Sequence, residues 1–223
     1  MSSMEPTVKT LLFSFFEKFG LRSFPKGAVA IKPEDRRIFF LTKGVVRMGG
    51  TSKEKNPITL NIYKAYALFP LSLLFKTKDT YTFDCLTKVE GYFAPQKDFE
   101  TFLKQHPAVL FDVLRRIYQG FDGFFLLFAA LLSKDAYYRV LTQLVIHARR
   151  FGKKDQNRIT FDWHITHDQL ASQTGLARES VTREIKKLQK KMIVGYSGKK
   201  LFIFNLDKLE DECFSFRDSK MIP

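Results

Sequence analysis

The chain has 223 residues, 45% hydrophobic and 27% charged, which excludes a disordered polypeptide and leaves room for one large or two small domains. A formal charge of +14 favours an anionic partner, nucleic acid first and an anionic membrane surface second. Cys85 and Cys213 match no CxxC or Cys/His spacing, so neither a disulfide framework nor a zinc site is supported, and a reducing cytoplasm fits.

The opening MSSMEPTVKTLLFSFFEKFG lacks a basic start, a long apolar core and a small-residue cleavage site. It reads as a short amphipathic helix rather than a signal peptide. The next eighty residues are β-rich. GAVAIKP (27–33), RIFFLTKGVVRMGG (37–50), PITLNIY (57–63), DTYTFDCLTKV (79–89) and EGYFAP (90–95) are β-branched and aromatic runs bounded by turn-formers. Tyr81, Phe83 and Cys85 alternate with polar residues, the period of a half-buried strand. Strands at this spacing predict a sandwich or barrel-like roll. KDFETFLKQHP (97–107) predicts a helix stopped at Pro107.

From Ala108 to Leu132 the pattern changes. Leu110, Leu114, Ile117, Phe121, Phe124, Phe128 and Leu131 are spaced alternately four and three residues apart, the a/d heptad of a helix–helix seam. A single buried helix and membrane insertion are the competing readings. The apolar run FFLLFAALL (124–132) is too short for a span, which needs about 20 residues. The sustained register favours a dimer seam, with Gly120 and Gly123 allowing close approach or a bend.

SKDAYYRVLTQLVIHARRFG (133–152) predicts another helix, capped by Ser133 and closed by Gly152. KKDQNRITFDW (153–163) reads as a polar loop leading into a short strand. Thr166 to Gln169 has the capping-box form, with the cap threonine three residues before the glutamine. The helix HDQLASQT ends at Gly175, suited to a sharp interhelical turn. A second helix from about Ala177 to Lys191 buries Val181, Ile185, Leu188 and Met192 and turns Arg178, Glu179, Thr182, Arg183 and Lys186 outward. IVGYSGKKLFIFN (193–205) predicts a hairpin with Lys199 and Lys200 near its tip.

Together these elements make a winged helix-turn-helix. The segment 178–200 carries eight Lys/Arg and two Glu, so the basic excess falls on the predicted reading element. Arg178 and Arg183 can bond bidentately to guanine, and Glu179 can accept from cytosine. The plain alternative for Glu179 and Arg183 is an exposed i,i+4 ion pair. Thr166, Ser180, Thr182, Lys186, Lys187, Lys199 and Lys200 are the backbone-contact candidates. His164 and His167 in DWHITHD invite a metal reading, but Thr166 and Asp168 already have a capping explanation.

The stretch ITHDQLASQTGLARESVTREIKKLQKKMIVGYSGKKLFIFNLDKLE resembles the winged helix-turn-helix of the Crp/Fnr regulators. Gly175, Arg178, Glu179, Ser180, Val181 and Arg183 match the family's Gly-x-x-Arg-Glu-[Ser/Thr]-Val-x-Arg run; Ala177 departs from the Ser or Thr often found at that cap. The resemblance implies base reading by Arg178, Glu179 and Arg183 in TGTGA-like half-sites. It also implies an α+β chain with a cyclic-nucleotide-binding-like β-roll (jelly roll) over 1–107, a dimerisation helix and hinge over 108–134, and a DNA-binding domain over 135–223. Cyclic-nucleotide-binding members carry a Gly-Glu pair and an Arg for the ribose and cyclic phosphate. The corresponding stretch YKAYALFPLSLLFKTKDTYTF (63–83) has none of these, leaving Lys76 or Lys78 as poor substitutes. A multi-cysteine iron–sulfur set is lacking too, and no His precedes residue 106, which disfavours haem.

The expectation is a cytoplasmic, homodimeric regulator of double-stranded DNA, with RNA polymerase as a protein partner. No cofactor is identifiable. The expected effector is a small molecule in the β-roll other than cyclic AMP, or a response through Cys85, although an alternating-strand cysteine is more simply a buried side chain. A ligand-sensing module acting through protein contacts, with non-specific DNA binding, is the alternative. An enzyme finds no nucleophile–base pair, phosphate loop or metal cluster to support it.

Overall fold

The computed structural model describes residues 4–32, 34–51, 57–75, 81–133 and 135–221. The chain divides into two compact units, one ending at Gln119 and the other starting at Gly120.

The first unit opens with α1 (Pro6–Phe16), started by a proline in its first turn and burying Val8, Leu12, Phe15 and Phe16. The strands follow: β1 (Leu21–Phe24), β2 (Val29–Ile31), β3 (Arg37–Lys43), β4 (Val45–Thr51), β5 (Pro57–Lys64), β6 (Leu68–Phe69), β7 (Thr82–Cys85) and β8 (Val89–Pro95). They form two antiparallel sheets, ordered β1-β8-β3-β6 and β2-β7-β4-β5. Helices α2 (Gln96–Gln105) and α3 (Pro107–Leu132) come next.

Strand β3 explains the layering. Its run Ile38-Phe39-Phe40-Leu41 is buried on both faces, which is why it reads as continuous rather than alternating. Phe39 and Leu41 face the inter-sheet core with Ile31, Val46, Phe69, Phe83 and Val89. Ile38 and Phe40 face a helical layer contributed by α1, α2 and the start of α3, through Leu12, Phe16, Phe99, Val109 and Val113.

The run 37–50 is two strands rather than one. Gly44 turns the chain with φ +97°, and a Cβ there would sit 2.3 Å from the Lys88 carbonyl oxygen. Strands β1 and β6, too short to show a period, are additions to the sequence reading. Pro107 does not merely stop α2; it also begins α3, where its missing N–H costs nothing. Lys76 and Lys78 lie outside the described residues.

The second unit holds the rest of α3, then α4 (Ala136–Phe151), β9 (Lys153–Asp155), β10 (Arg158–Thr160), α5 (His167–Thr174), α6 (Arg178–Lys190), β11 (Val194–Ser197), β12 (Lys200–Ile203) and α7 (Leu206–Met221). One antiparallel sheet is ordered β11-β12-β10-β9. Three expectations are corrected here. The cap of α4 is Asp135, whose carboxylate accepts from the Tyr138 N–H, while the Ser133 hydroxyl accepts from the Asp135 N–H. The loop 153–163 contains a hairpin, because β10 finds a partner in β12. Met192 does not join the buried stripe: it follows α6 with φ +54° and is exposed.

Replacing Gly44 by Ala forces a side chain into a left-handed turn and against a backbone oxygen. The expected loss is about 2–4 kcal/mol of stability in the first unit. Denaturant-dependent hydrogen exchange of the β3 and β8 amides reads it.

Candidate nucleic-acid interface

The helix-turn-helix is built from local rules. The Thr166 hydroxyl accepts from the Gln169 N–H at 3.0 Å, making the N-cap of α5. The reciprocal half of the capping box is replaced, because the Gln169 side chain accepts from the Trp163 indole N–H at 3.2 Å. Gly175 then takes the left-handed conformation, φ 64° and ψ 29°, and its N–H bonds the Ala171 carbonyl. Ala177 starts α6 with no side-chain cap.

Helix α6 buries Val181, Glu184, Ile185 and Leu188. Its three inward apolar side chains fix which face looks out. Arg178, Glu179, Arg183, Lys186 and Lys187 are exposed, while Ser180 and Thr182 are half-buried. Among the described residues Glu179 and Arg183 form no ion pair. Arg178 instead lies 3.5 Å from the exposed carboxylate of Asp168, a contact worth at most about 1 kcal/mol. Lys187 is drawn back to the buried Glu184 at 2.6 Å.

The β11–β12 hairpin turns through Gly198 and Lys199, with Ser197 paired to Lys200. Gly198 at the first central position has φ 58°, which this tight turn type requires. Lys199 and Lys200 are exposed at the tip. In the stem, the Phe202 ring lies where a Cβ on Gly195 would be, 2.5 Å from its nearest atom, and the Arg158 guanidinium sits 4.9 Å from the ring centre.

His167, between two aspartates in sequence, has both ring nitrogens engaged by protein: Nδ1 is 2.8 Å from Thr182 Oγ1 and Nε2 is 2.9 Å from the Tyr196 hydroxyl. Among the described residues no group of three metal-ligating side chains occurs. Burial, and then the Arg178 charge, lower the His167 pKa. Tyr196 and Asp168 are site neighbours that residue spacing alone does not reveal.

The sequence-predicted seam residues of α3 are all on its surface. Leu110, Leu114, Ile117, Phe121, Phe124, Phe128 and Leu131 are 37–56% exposed. A further set, Phe111, Tyr118, Phe125 and Leu132, lies one heptad apart and is 61–71% exposed. It is absent from the a/d reading because it occupies the adjoining e position. Among the described residues no helix is long and apolar enough to cross a membrane.

Among the described residues the β-roll interior is filled by aromatic rings. Phe69 stacks on Phe83 at 5.0 Å and on Tyr63 at 4.6 Å, with Phe39 against the same cluster. Arg47 on β4 is already neutralised by Asp84 on β7 at 2.6 Å. Cys85 is buried and its pKa is raised to about 11, by burial and then by Asp84, so it stays a thiol.

A β-roll, a long helix with an exposed apolar face, and a winged helix-turn-helix with a basic reading face define a DNA-binding regulator. The comparisons agree. Residues 138–212 match the Crp-like helix-turn-helix domain and residues 21–106 match the cyclic nucleotide-binding domain. The chain is 27% identical over 188 residues to the global nitrogen regulator of Nostoc sp., covering 82% of this chain and 84% of that protein. It is 25% identical over 190 residues to that of Synechocystis sp., covering 83% and 84%. Among solved structures it superposes on a CooA variant from Carboxydothermus hydrogenoformans with TM-score 0.72, 18% identity and coverage of 96% and 92%. FixK2 from Bradyrhizobium japonicum gives TM-score 0.71, 15% identity and coverage of 86% and 95%. The chain belongs to the Crp/Fnr family and is a DNA-binding transcription regulator of that family.

A pH dependence follows from the core behind α5. His147 is fully buried, its Nε2 lies 2.9 Å from the Gln173 side-chain oxygen Oε1 and 3.2 Å from the Gln143 side-chain nitrogen Nε2, and burial holds its pKa at about 4. The folded ring therefore stays neutral while the unfolded one titrates near 6.5. Stability tied to neutral His147 is complete above about pH 6.5 and lost as pH falls toward 4, on the order of 3 kcal/mol in all. Trp163, the one tryptophan, stands 5.8 Å from the His147 ring and reports the transition. The urea midpoint read from its fluorescence should fall through this window in the native chain, with a shallower fall in His147→Gln.

Proposed function

We propose that the protein is a homodimeric, sequence-specific regulator that presents two copies of α6 to successive major grooves about 34 Å apart on a palindromic site. The observation that carries this reading is the α6 face. Arg178, Glu179 and Arg183 stand exposed together because Val181, Ile185 and Leu188 are held in the core behind them. Arg178 and Arg183 read guanine edges and Glu179 accepts from cytosine in TGTGA-like half-sites. Ser180, Thr182, Lys186, Lys187, Lys199 and Lys200 contact the sugar-phosphate backbone, and Thr166 does so beside its capping role. The exposed α3 face supports dimerisation, which would cover the seven a/d side chains. Contact with RNA polymerase and a reducing cytoplasm complete the reading. Similarity to global nitrogen regulators makes nitrogen-responsive genes the first targets to examine.

A small molecule entering the β-roll core would meet the stacked rings of Tyr63, Phe69 and Phe83. This favours an apolar or aromatic effector over a cyclic nucleotide. Native mass spectrometry of freshly purified protein reads the dimer and any retained molecule together.

Arg183→Ala is expected to lose about 1–3 kcal/mol of discrimination between a TGTGA-like palindrome and scrambled DNA, measured by competition binding at fixed salt. Unchanged relative affinity overturns base reading by this residue. Phe124→Asp with Phe128→Asp places charge in the seam. Sedimentation should show the double variant as a monomer with Trp163 emission intact, whereas a persisting dimer excludes α3 as the interface.

A further inference from the structure

The described residues bring His167 between the two elements assigned to DNA contact. It is the first residue of α5; Thr182 belongs to α6 and Tyr196 to β11. One assignment of the protons makes all three hydrogen bonds of this cluster at once. The Thr182 hydroxyl donates its single proton to the Arg178 carbonyl, at 2.9 Å. Thr182 Oγ1 can then only accept from His167, so the imidazole carries its proton on Nδ1. Its Nε2 is left bare and accepts from the Tyr196 hydroxyl. The result is one directed chain: Tyr196 O–H to Nε2, Nδ1–H to Thr182, and Thr182 O–H to the carbonyl of Arg178.

We propose that His167 is a positioning residue for DNA recognition: it clasps the wing to the first turn of α6, so that the arginines and the wing lysines engage DNA as one unit. The inference rests on the function proposed above. Its physical basis is leverage. The chain ends on the backbone of Arg178, a base-reading residue, and begins two residues before Gly198, where the wing turns and displays Lys199 and Lys200. Without the clasp the hairpin keeps its own ladder but loses its fixed angle to the helix. Phosphate contacts at the wing are then made only part of the time.

Two measurements on the full-length protein decide it. The first needs no DNA. Nitrogen-15 spectra of selectively labelled histidine at neutral pH should show His167, assigned by its loss in His167→Ala, protonated at Nδ1. Protonation at Nε2 overturns the clasp. The second compares the native chain, Tyr196→Phe, His167→Ala and the double variant for affinity to the TGTGA-like palindrome across a salt series. Tyr196→Phe keeps the ring and removes only the hydroxyl. Each single variant should weaken binding about fivefold and flatten the salt slope by about one to two phosphate contacts. The double variant should be no worse than His167→Ala alone. A merely structural role lowers the active fraction and leaves the slope unchanged, so unchanged slopes, or losses that multiply in the double variant, overturn the proposal. A native chain with no preference for the palindrome sinks the proposed TGTGA-like base reading instead, and the tautomer still decides whether the clasp exists.

Discussion

The burial of one apolar stripe on α6 is the constraint from which the interface follows. Val181, Ile185 and Leu188 recur at the helical period and are almost wholly excluded from solvent. Burying three such side chains is worth several kcal/mol, about 1.5–3 kcal/mol each. The surface contacts of Arg178 and Lys187 are individually far weaker. The rotation of the helix about its axis is thus set by the core, and the charges go where that rotation leaves them. The same core-first logic fixes α5, whose cap, glycine turn and buried Leu170 set where the second helix begins.

Helix α3 is the complementary case. Its Val109 and Val113 are packed against the first unit, yet its a, d and e positions are each more than a third exposed. An apolar face this long is the kind of surface that proteins use for association, which is the ground for the dimer proposed above. The e positions widen the stripe beyond a two-stranded seam, so the partner surface need not be confined to one matching helix.

Much of this was legible in residue spacing because periodicity reports burial directly. The α6 stripe, the Thr166 cap and the Gly175 turn each follow from local chemistry, and each has its counterpart in the fold; the α3 heptads fall on one continuous helix. What spacing does not show is pairing between distant segments. The β9–β10 hairpin exists because Ile159 meets Ile203, forty-four residues further along the chain. Strand β6 is two residues long and carries no period at all. Met192 has the right spacing for the stripe, but the helix ends before reaching it. At the site, the charged residues were readable and their neighbours were not. His167 invited a metal reading since its threonine and tyrosine partners lie fifteen and twenty-nine residues on. The β-roll is a mixed case: its aromatic wealth was plain in composition, while the stacking of Tyr63, Phe69 and Phe83 that fills the interior depends on the sheet register.

The stem of the wing bears on the entropy of association. The Phe202 ring is laid flush on the bare α-carbon of Gly195 and roofed by the Arg158 guanidinium. A β-ribbon stiffened in this way has little freedom left to surrender when it meets a polyanion, so the ordering cost of its backbone is met during folding rather than at the encounter. The two lysines at its end keep their own rotamer freedom on a fixed mount, which suits them to a phosphate surface whose position varies slightly from one duplex to the next.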